Sequence, residues 1–140
     1  MNYLLDTCVI SELAKTRPNQ AVVDWVVRQD ASTCFISSIT LGEIQKGISK
    51  LAASAKKNDL QTWLDQDVRA RFSGQTIGIN TNEALQWGRV LAMAESQGQP
   101  MPMVDSLIAA TAIFHGMTLV TRNTGDMEAS GVALYNPWQE

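Results

Sequence analysis

Short apolar runs and longer helical stretches alternate along the chain. An apolar run without alternating polar positions is typical of a strand that is buried on both faces of a sheet. The pattern predicts three such strands, at residues 3–5, 33–37 and 117–121. It also predicts two weaker strands, at residues 76–77 and 132–135. The first run stops abruptly at Asp6 and Thr7, so the chain carries polar side chains directly after its first strand.

The stretches between these runs carry apolar residues at helical spacing. Asn19 is a predicted helix cap ahead of Val22 and Trp25, and Asn80 with Glu83 has the spacing of a capping box. Further helices are predicted to start at residue 8, near residues 38–40, ahead of residue 60 and at residue 105. Strands separated by helices need crossover connections, which predicts a three-layer α/β/α fold with a mainly parallel sheet.

Length and composition fit one compact domain over residues 1–140. The chain is 45% hydrophobic and 18% charged, with a net charge of −3 and a pI near 5.1. This balance argues against a broad basic surface for nucleic acid. Apolar stretches are too short for a membrane span, and no basic segment precedes the first run, so we expect a cytoplasmic protein. Cys8 and Cys34 are expected to be reduced, and His115 is the only histidine.

Four acidic residues fall where a parallel sheet gathers its ligands. Asp6 follows the first strand, Asp126 follows the strand at 117–121, Glu43 lies on the helix after the second strand, and Asp105 opens the helix before residue 117. Ligands of such sheets bind beyond the carboxyl ends of the strands. Taken singly, each acid has an ordinary explanation: Asp6 as a helix cap, Glu43 as half of a capping box with Thr40, Asp105 as a helix-start acid and Asp126 as a turn residue.

Taken together, the four carboxylates indicate a cation site. Clustered carboxylates repel one another unless a cation neutralises them, and oxygen ligands without His or Cys suit Mg²⁺ or Mn²⁺. Such ions favour phosphodiester hydrolysis by an activated water. Thr7, Arg122 and Asn123 lie beside these acids in sequence and are candidates to orient water, metal or phosphate, or else ordinary cap, turn and surface residues.

Four segments resemble the motifs of PIN-domain nucleases, most of all the VapC and FitB-like toxins of type II toxin–antitoxin pairs. The segments are residues 4–12, 36–48, 105–112 and 119–127, where Met127 stands in a place that is Phe in many members. The resemblance implies a Mg²⁺- or Mn²⁺-dependent ribonuclease, a homodimer, and inhibition by an antitoxin that reaches the acidic site. It makes Asp6 and Asp105 the expected direct metal ligands, with Glu43 and Asp126 completing the site directly or through water.

The sequence is also consistent with two other functions. A non-catalytic protein of the same fold would use apolar helices carrying Trp25, Trp63 and Trp87 as a partner interface, although these residues also fit core packing. A receiver-type or phosphoryl-transfer domain also has an aspartate after its first strand. It fits less well, because no Gly-rich phosphate loop is present and no second aspartate stands two residues after Asp6.

Overall fold

The computed structural model describes residues 1–139 and is built on one parallel sheet. Its strands are β1 (Tyr3–Leu5), β2 (Cys34–Ser37), β3 (Thr76–Ile77), β4 (Thr118–Val120) and β5 (Leu134–Tyr135). They are ordered β3-β2-β1-β4-β5, and every neighbouring pair is parallel. The first strand of the chain is therefore the centre of the sheet, with Leu5 paired to Val120 of β4.

Helices connect the strands, as the sequence pattern predicts. They are α1 (Thr7–Leu13), α2 (Gln20–Arg28), α3 (Ser38–Ser49), α4 (Ala55–Thr62), α5 (Arg69–Arg71), α6 (Thr81–Ser96), α7 (Met103–Phe114) and α8 (Thr124–Met127). A π-helical turn, Trp63–Val68, joins α4 to α5. The predicted start of α7 at Asp105 is two residues late, because Pro102 serves as the N-cap and the helix begins directly after it.

The helices lie in two layers, because alternate strand residues face opposite sides of the sheet. Leu5, Ile36 and Val120 belong to a hydrophobic cluster with α1, α2, α3 and the π-helical turn. Leu4 and Leu119 belong to a second cluster with α6 and α7. The predicted three-layer α/β/α fold is confirmed.

The tryptophans pack mainly inside these layers. Trp25 is 4% exposed and lies between Tyr3 and Tyr135, at ring-centroid distances of 5.0 and 5.3 Å. Trp87 is half-buried and donates its Nε1–H to the Ser106 hydroxyl at 2.9 Å, which links α6 to α7. The core interpretation therefore holds for Trp25 and Trp87.

The described residues 1–139 include no helix long and apolar enough to cross a membrane. Cys8 is half-buried, Cys34 is buried, and both are free thiols.

Candidate active site

Asp6 lies at the carboxyl edge of the sheet, directly after the central strand. Its backbone N–H donates to the Val120 carbonyl at 2.9 Å, which fixes the residue against β4. The side chain is 4% exposed and both its oxygens are held: Oδ1 accepts the Thr7 backbone N–H at 2.8 Å and Oδ2 accepts the Thr121 hydroxyl at 2.8 Å. Asp6 is thus a helix cap, as one interpretation of the sequence predicts, and beyond that role its buried side chain also accepts the Thr121 hydroxyl.

Glu43 reaches the same edge from α3. The alternative that Glu43 forms a capping box with Thr40 is wrong, because Ser37 is the N-cap and its hydroxyl accepts the Ile39 backbone N–H at 3.1 Å. Thr40 is instead fully buried inside the helix. Glu43 Oε1 accepts the Thr7 hydroxyl of α1 at 2.6 Å, so this carboxylate is tied to the residue that follows Asp6.

Asp105 and Asp126 complete the acidic group. Asp105 is the third residue of α7, and its pKa is raised from the usual aspartate range by burial first and then by the charges of Asp6, Asp126 and Glu43. Asp126 lies in α8, the short helix that stands where the sequence indicates a turn after β4, and is exposed. The fold therefore brings all four predicted acids into one electrostatic environment.

The chemistry of these donors fits a hard divalent cation. Carboxylate oxygens are the ligands that Mg²⁺ and Mn²⁺ prefer, and an added cation relieves the repulsion that Asp105 experiences. The Cys8 thiol lies 3.7 Å from Asp6 Oδ2, but burial and then the charge of Asp6 raise the pKa of this thiol. It therefore stays protonated and offers no thiolate ligand. Among residues 1–139 no group of three or more His, Cys, Asp or Glu side chains stands close enough together to hold a metal ion.

The three predicted supporting residues take different positions. Thr7 contacts Glu43, as described, and the Asn123 backbone N–H donates to the Thr121 hydroxyl at 3.0 Å. Arg122 is exposed, and its guanidinium lies over the Trp138 ring at 4.7 Å from the centroid. Thr7 is therefore among the acids, Asn123 supports a residue that binds Asp6, and Arg122 stands beside the site on an aromatic platform.

The sequence interpretation misses two hydroxyl groups, Thr121 and Thr40. Because Leu5 pairs with Val120, the next residue of each strand segment, Asp6 and Thr121, also meet. That pairing is the available sequence signal. In a parallel pair of strands, the residue that follows the end of one strand lies beside the residue that follows the end of the other. Thr40 contacts Thr7 Oγ1 at 3.0 Å and gives no sequence signal beyond its helical spacing from Glu43.

This fold and its acidic edge define the class of protein. The sequence pattern of the PIN domain matches residues 3–129, so the chain belongs to the PIN-domain family. The resemblance stated from the motifs is confirmed, and the receiver-type alternative is set aside.

Individual relatives match the chain over nearly its whole length. VapC ribonuclease Y4jK of Sinorhizobium fredii is 33% identical over 136 residues, which cover 97% of each protein. Toxin FitB of Neisseria gonorrhoeae is 35% identical over 137 residues, which cover 98% of this chain and 99% of FitB. The crystal structure of FitAcB from Neisseria gonorrhoeae is similar with a TM-score of 0.94 at 35% identity, covering 99% of each chain.

Proposed function

We propose that this chain is a Mg²⁺- or Mn²⁺-dependent endoribonuclease and the toxin of a type II toxin–antitoxin pair. It acts in the cytoplasm as a single nuclease domain over residues 1–140 and hydrolyses RNA phosphodiester bonds. The observation that carries this proposal is the meeting of carboxylates where a parallel sheet binds ligands: Asp6 and Glu43 both accept hydrogen bonds from Thr7. Burial first, and then the charges of Asp6, Asp126 and Glu43, raise the pKa of Asp105, which is consistent with a functional acid. The names of two relatives, a VapC ribonuclease and the toxin FitB, support it.

The site residues divide into ion holders and their supports. Asp6 and Asp105 would hold the ion, with Glu43 and Asp126 completing the site directly or through water. When bound, a divalent ion supplies a Lewis acid that polarises the phosphodiester and makes a water molecule more acidic. Thr121 and the Thr7 backbone hold Asp6 in place, so its oxygens need no reorganisation on binding.

The overall acidity is consistent with an RNA substrate. Without the four site carboxylates, the fourteen acids become ten against eleven bases, so the rest of the chain has a charge of +1. RNA is therefore held by the ion and by a few local bases rather than by a broad basic surface. Arg122 is the base that we propose for this role, because it follows Thr121, the partner of Asp6, and its guanidinium lies over the Trp138 ring.

Removal of one ion holder tests the proposal. Asp6→Asn is expected to abolish Mg²⁺-dependent cleavage of total RNA, with a far-ultraviolet circular dichroism spectrum like that of the wild type. Asp24→Asn, at an exposed aspartate of α2, is the matched control and keeps full activity. Undiminished cleavage by Asp6→Asn, or by the wild type in excess chelator, would contradict a metal-dependent nuclease.

A groove beside Glu43 is the binding place that we propose for the antitoxin. An open groove of about 290 Å³ between α1, α3 and α4 has Glu43 in its wall. Its apolar lining includes Ile44, Ile48, Leu51, Leu60 and Trp63, with Lys15 and Lys56 among the polar residues. We propose that an apolar antitoxin segment fills the groove and that an Arg or Lys of that segment pairs with the site carboxylates in place of the metal.

Charge reversal tests this inhibition. Reversing the inserted basic residue of the antitoxin is expected to release RNA cleavage while the groove contacts keep the complex together. Inhibition that persists unchanged would contradict the mechanism. The toxin itself is proposed to be a homodimer, which light scattering of the purified chain measures directly.

The same groove favours a second candidate, a non-catalytic member of the family that acts only within a partner complex. Titration of Mn²⁺ during thermal melting separates the two candidates, because a ligand that binds the folded state raises the melting temperature. A rise at millimolar Mn²⁺ supports the nuclease. An unchanged melting curve supports the binding protein.

A further inference from the structure

Two fully buried helical threonines use their hydroxyl groups differently. Thr111 of α7 donates to the Leu107 carbonyl at 2.8 Å, four residues earlier in its own helix, which is the usual partner of a helical threonine. Thr40 of α3 instead meets the Thr7 hydroxyl of α1 at 3.0 Å. The Thr40 hydroxyl therefore contacts a residue of another helix rather than a carbonyl of its own helix, which indicates a specific role for this contact.

The direction of this contact follows from counting protons. The Thr7 hydroxyl has one proton, and it donates that proton to Glu43 Oε1 at 2.6 Å. Thr40 must therefore donate to Thr7, which gives a hydrogen-bond chain that runs from Thr40 through Thr7 to Glu43. In such a chain each bond polarises and strengthens the next one.

We propose that Thr40 is a positioning residue for the candidate cation site. Its donation keeps the Thr7 proton directed at Glu43 Oε1, which fixes the half-buried Glu43 carboxylate and leaves Oε2 for the ion. Partners behind a metal ligand orient it, and their loss lowers metal affinity without a change in the ligand itself. This inference rests on the proposed metal-dependent function.

The test compares hydroxyl loss at the two buried threonines. Thr40→Val removes the hydroxyl with almost no change in shape, Thr40→Ser keeps it, and Thr111→Val is the matched control. For each purified protein, Mn²⁺ is titrated with melting temperature as one readout and RNA cleavage as the other. Thr40→Val is expected to need roughly tenfold more Mn²⁺ for half of the full effect in both, while Thr40→Ser and Thr111→Val stay close to the wild type.

A double variant separates positioning from ordinary packing. Thr7→Ala is expected to weaken the Mn²⁺ response as well, and Thr40→Val is expected to add nothing to it, because Thr40 acts through Thr7. If Thr40→Val does not fold, Thr7→Ala and Thr40→Ser decide: a normal Mn²⁺ response in Thr7→Ala, or a weakened one in Thr40→Ser, overturns the inference.

The remaining outcomes distinguish a failure of the positioning role from a failure of the proposed function. A normal response of the wild type together with an unchanged Thr40→Val overturns the positioning role alone, and so do additive effects in the double variant. A wild-type protein without any Mn²⁺ response in melting or cleavage overturns the proposed function, and the positioning role with it.

Discussion

Two buried glutamates, Glu12 and Glu83, differ from the half-buried Asp105 in their neighbours. Glu12 accepts the Lys15 ammonium at 2.9 Å, and Glu83 is paired with His115 at 2.8 Å. In both, the hydrogen bond from that partner is the largest cause of a lowered pKa. Every influence on Asp105, by contrast, raises its pKa. The fold therefore favours the ionised form of Glu12 and Glu83, whereas it disfavours the ionised form of Asp105.

The difference extends to the backbone. Glu12 also accepts the Asn19 backbone N–H at 2.9 Å, and Glu83 accepts the Asn80 backbone N–H at 3.0 Å, so each glutamate satisfies the start of a helix. Asp105 does not cap a helix in this way, and burial is the largest cause of its raised pKa. A carboxylate whose pKa is raised by burial and by neighbouring charges is typical of functional rather than structural acids.

Neutralising a site acid gives the largest effect that this comparison predicts. Asp105→Asn is expected to lower RNA cleavage on the order of 10³-fold, because loss of an ion holder removes several kcal/mol of transition-state stabilisation. In chelator the same variant is expected to melt at a higher temperature than the wild type, since one repelling charge is gone. Asp59→Asn, at an exposed aspartate of α4, should change neither quantity. If Asp105→Asn melts at a lower temperature than the wild type in chelator, Asp105 is a structural acid like Glu12 and Glu83.

Removing a structural acid has the reverse result. Glu83→Ala is expected to lower the free energy of unfolding by about 2 kcal/mol, because the Asn80 N–H and His115 lose their acceptor. RNA cleavage below the melting transition stays unchanged. Urea unfolding beside Glu95→Ala, at an exposed glutamate of the same helix, measures the effect. A wild-type stability would show that the pair contributes nothing to the fold.

The two kinds of acid also differ in the sign of their pH dependence. Glu83 has a lowered pKa, so its stabilising contribution is complete above pH 4.5 and is lost as the pH falls through the lowered value. Asp105 has a raised pKa, so in chelator its penalty is absent below pH 3.8 and grows as the pH rises past that value. Melting of Glu83→Gln and Asp105→Asn beside the wild type across pH 3 to 7 (about the range that carboxylates titrate) tests both signs. If the two differences in melting temperature between variant and wild type changed in the same direction with pH, the distinction between structural and site acids would be contradicted.

The smallest expected effect concerns the base beside the acids. Trp138→Leu removes the aromatic platform under Arg122 and is expected to raise the KM for RNA about two- to fivefold, as a cation–π contact of 0.5–1 kcal/mol implies. Trp138→Phe keeps a ring face and serves as the control, and kcat stays constant in both. An unchanged KM in Trp138→Leu, or an equal rise in Trp138→Phe, would show that Arg122 does not depend on the ring to meet RNA.

The sequence predicts the layers and the acids better than it predicts how they are held. Undivided apolar runs identify the strands, and parallel order then brings Asp6 and Asp126 to one edge. The cap of α3 is missed, because Thr40 and Glu43 have capping-box spacing while the actual cap, Ser37, is the last residue of a strand. Hydroxyl partners are missed because they depend on register and on side-chain direction between elements distant in sequence. Thr121, for instance, meets Asp6 across 115 positions.

The central place of β1 also sets an order in time. The ribosome makes residues 3–5 well before their partner β4 and the hydroxyl that holds Asp6, which lie at residues 118–121. Until β4 has been made, the emerging chain therefore carries Asp6 without the neighbouring strand that fixes its position. A chain released early lacks the assembled acidic edge. The acidic edge is thus completed only after β4 has been synthesised, with 115 positions between Asp6 and the hydroxyl that holds it.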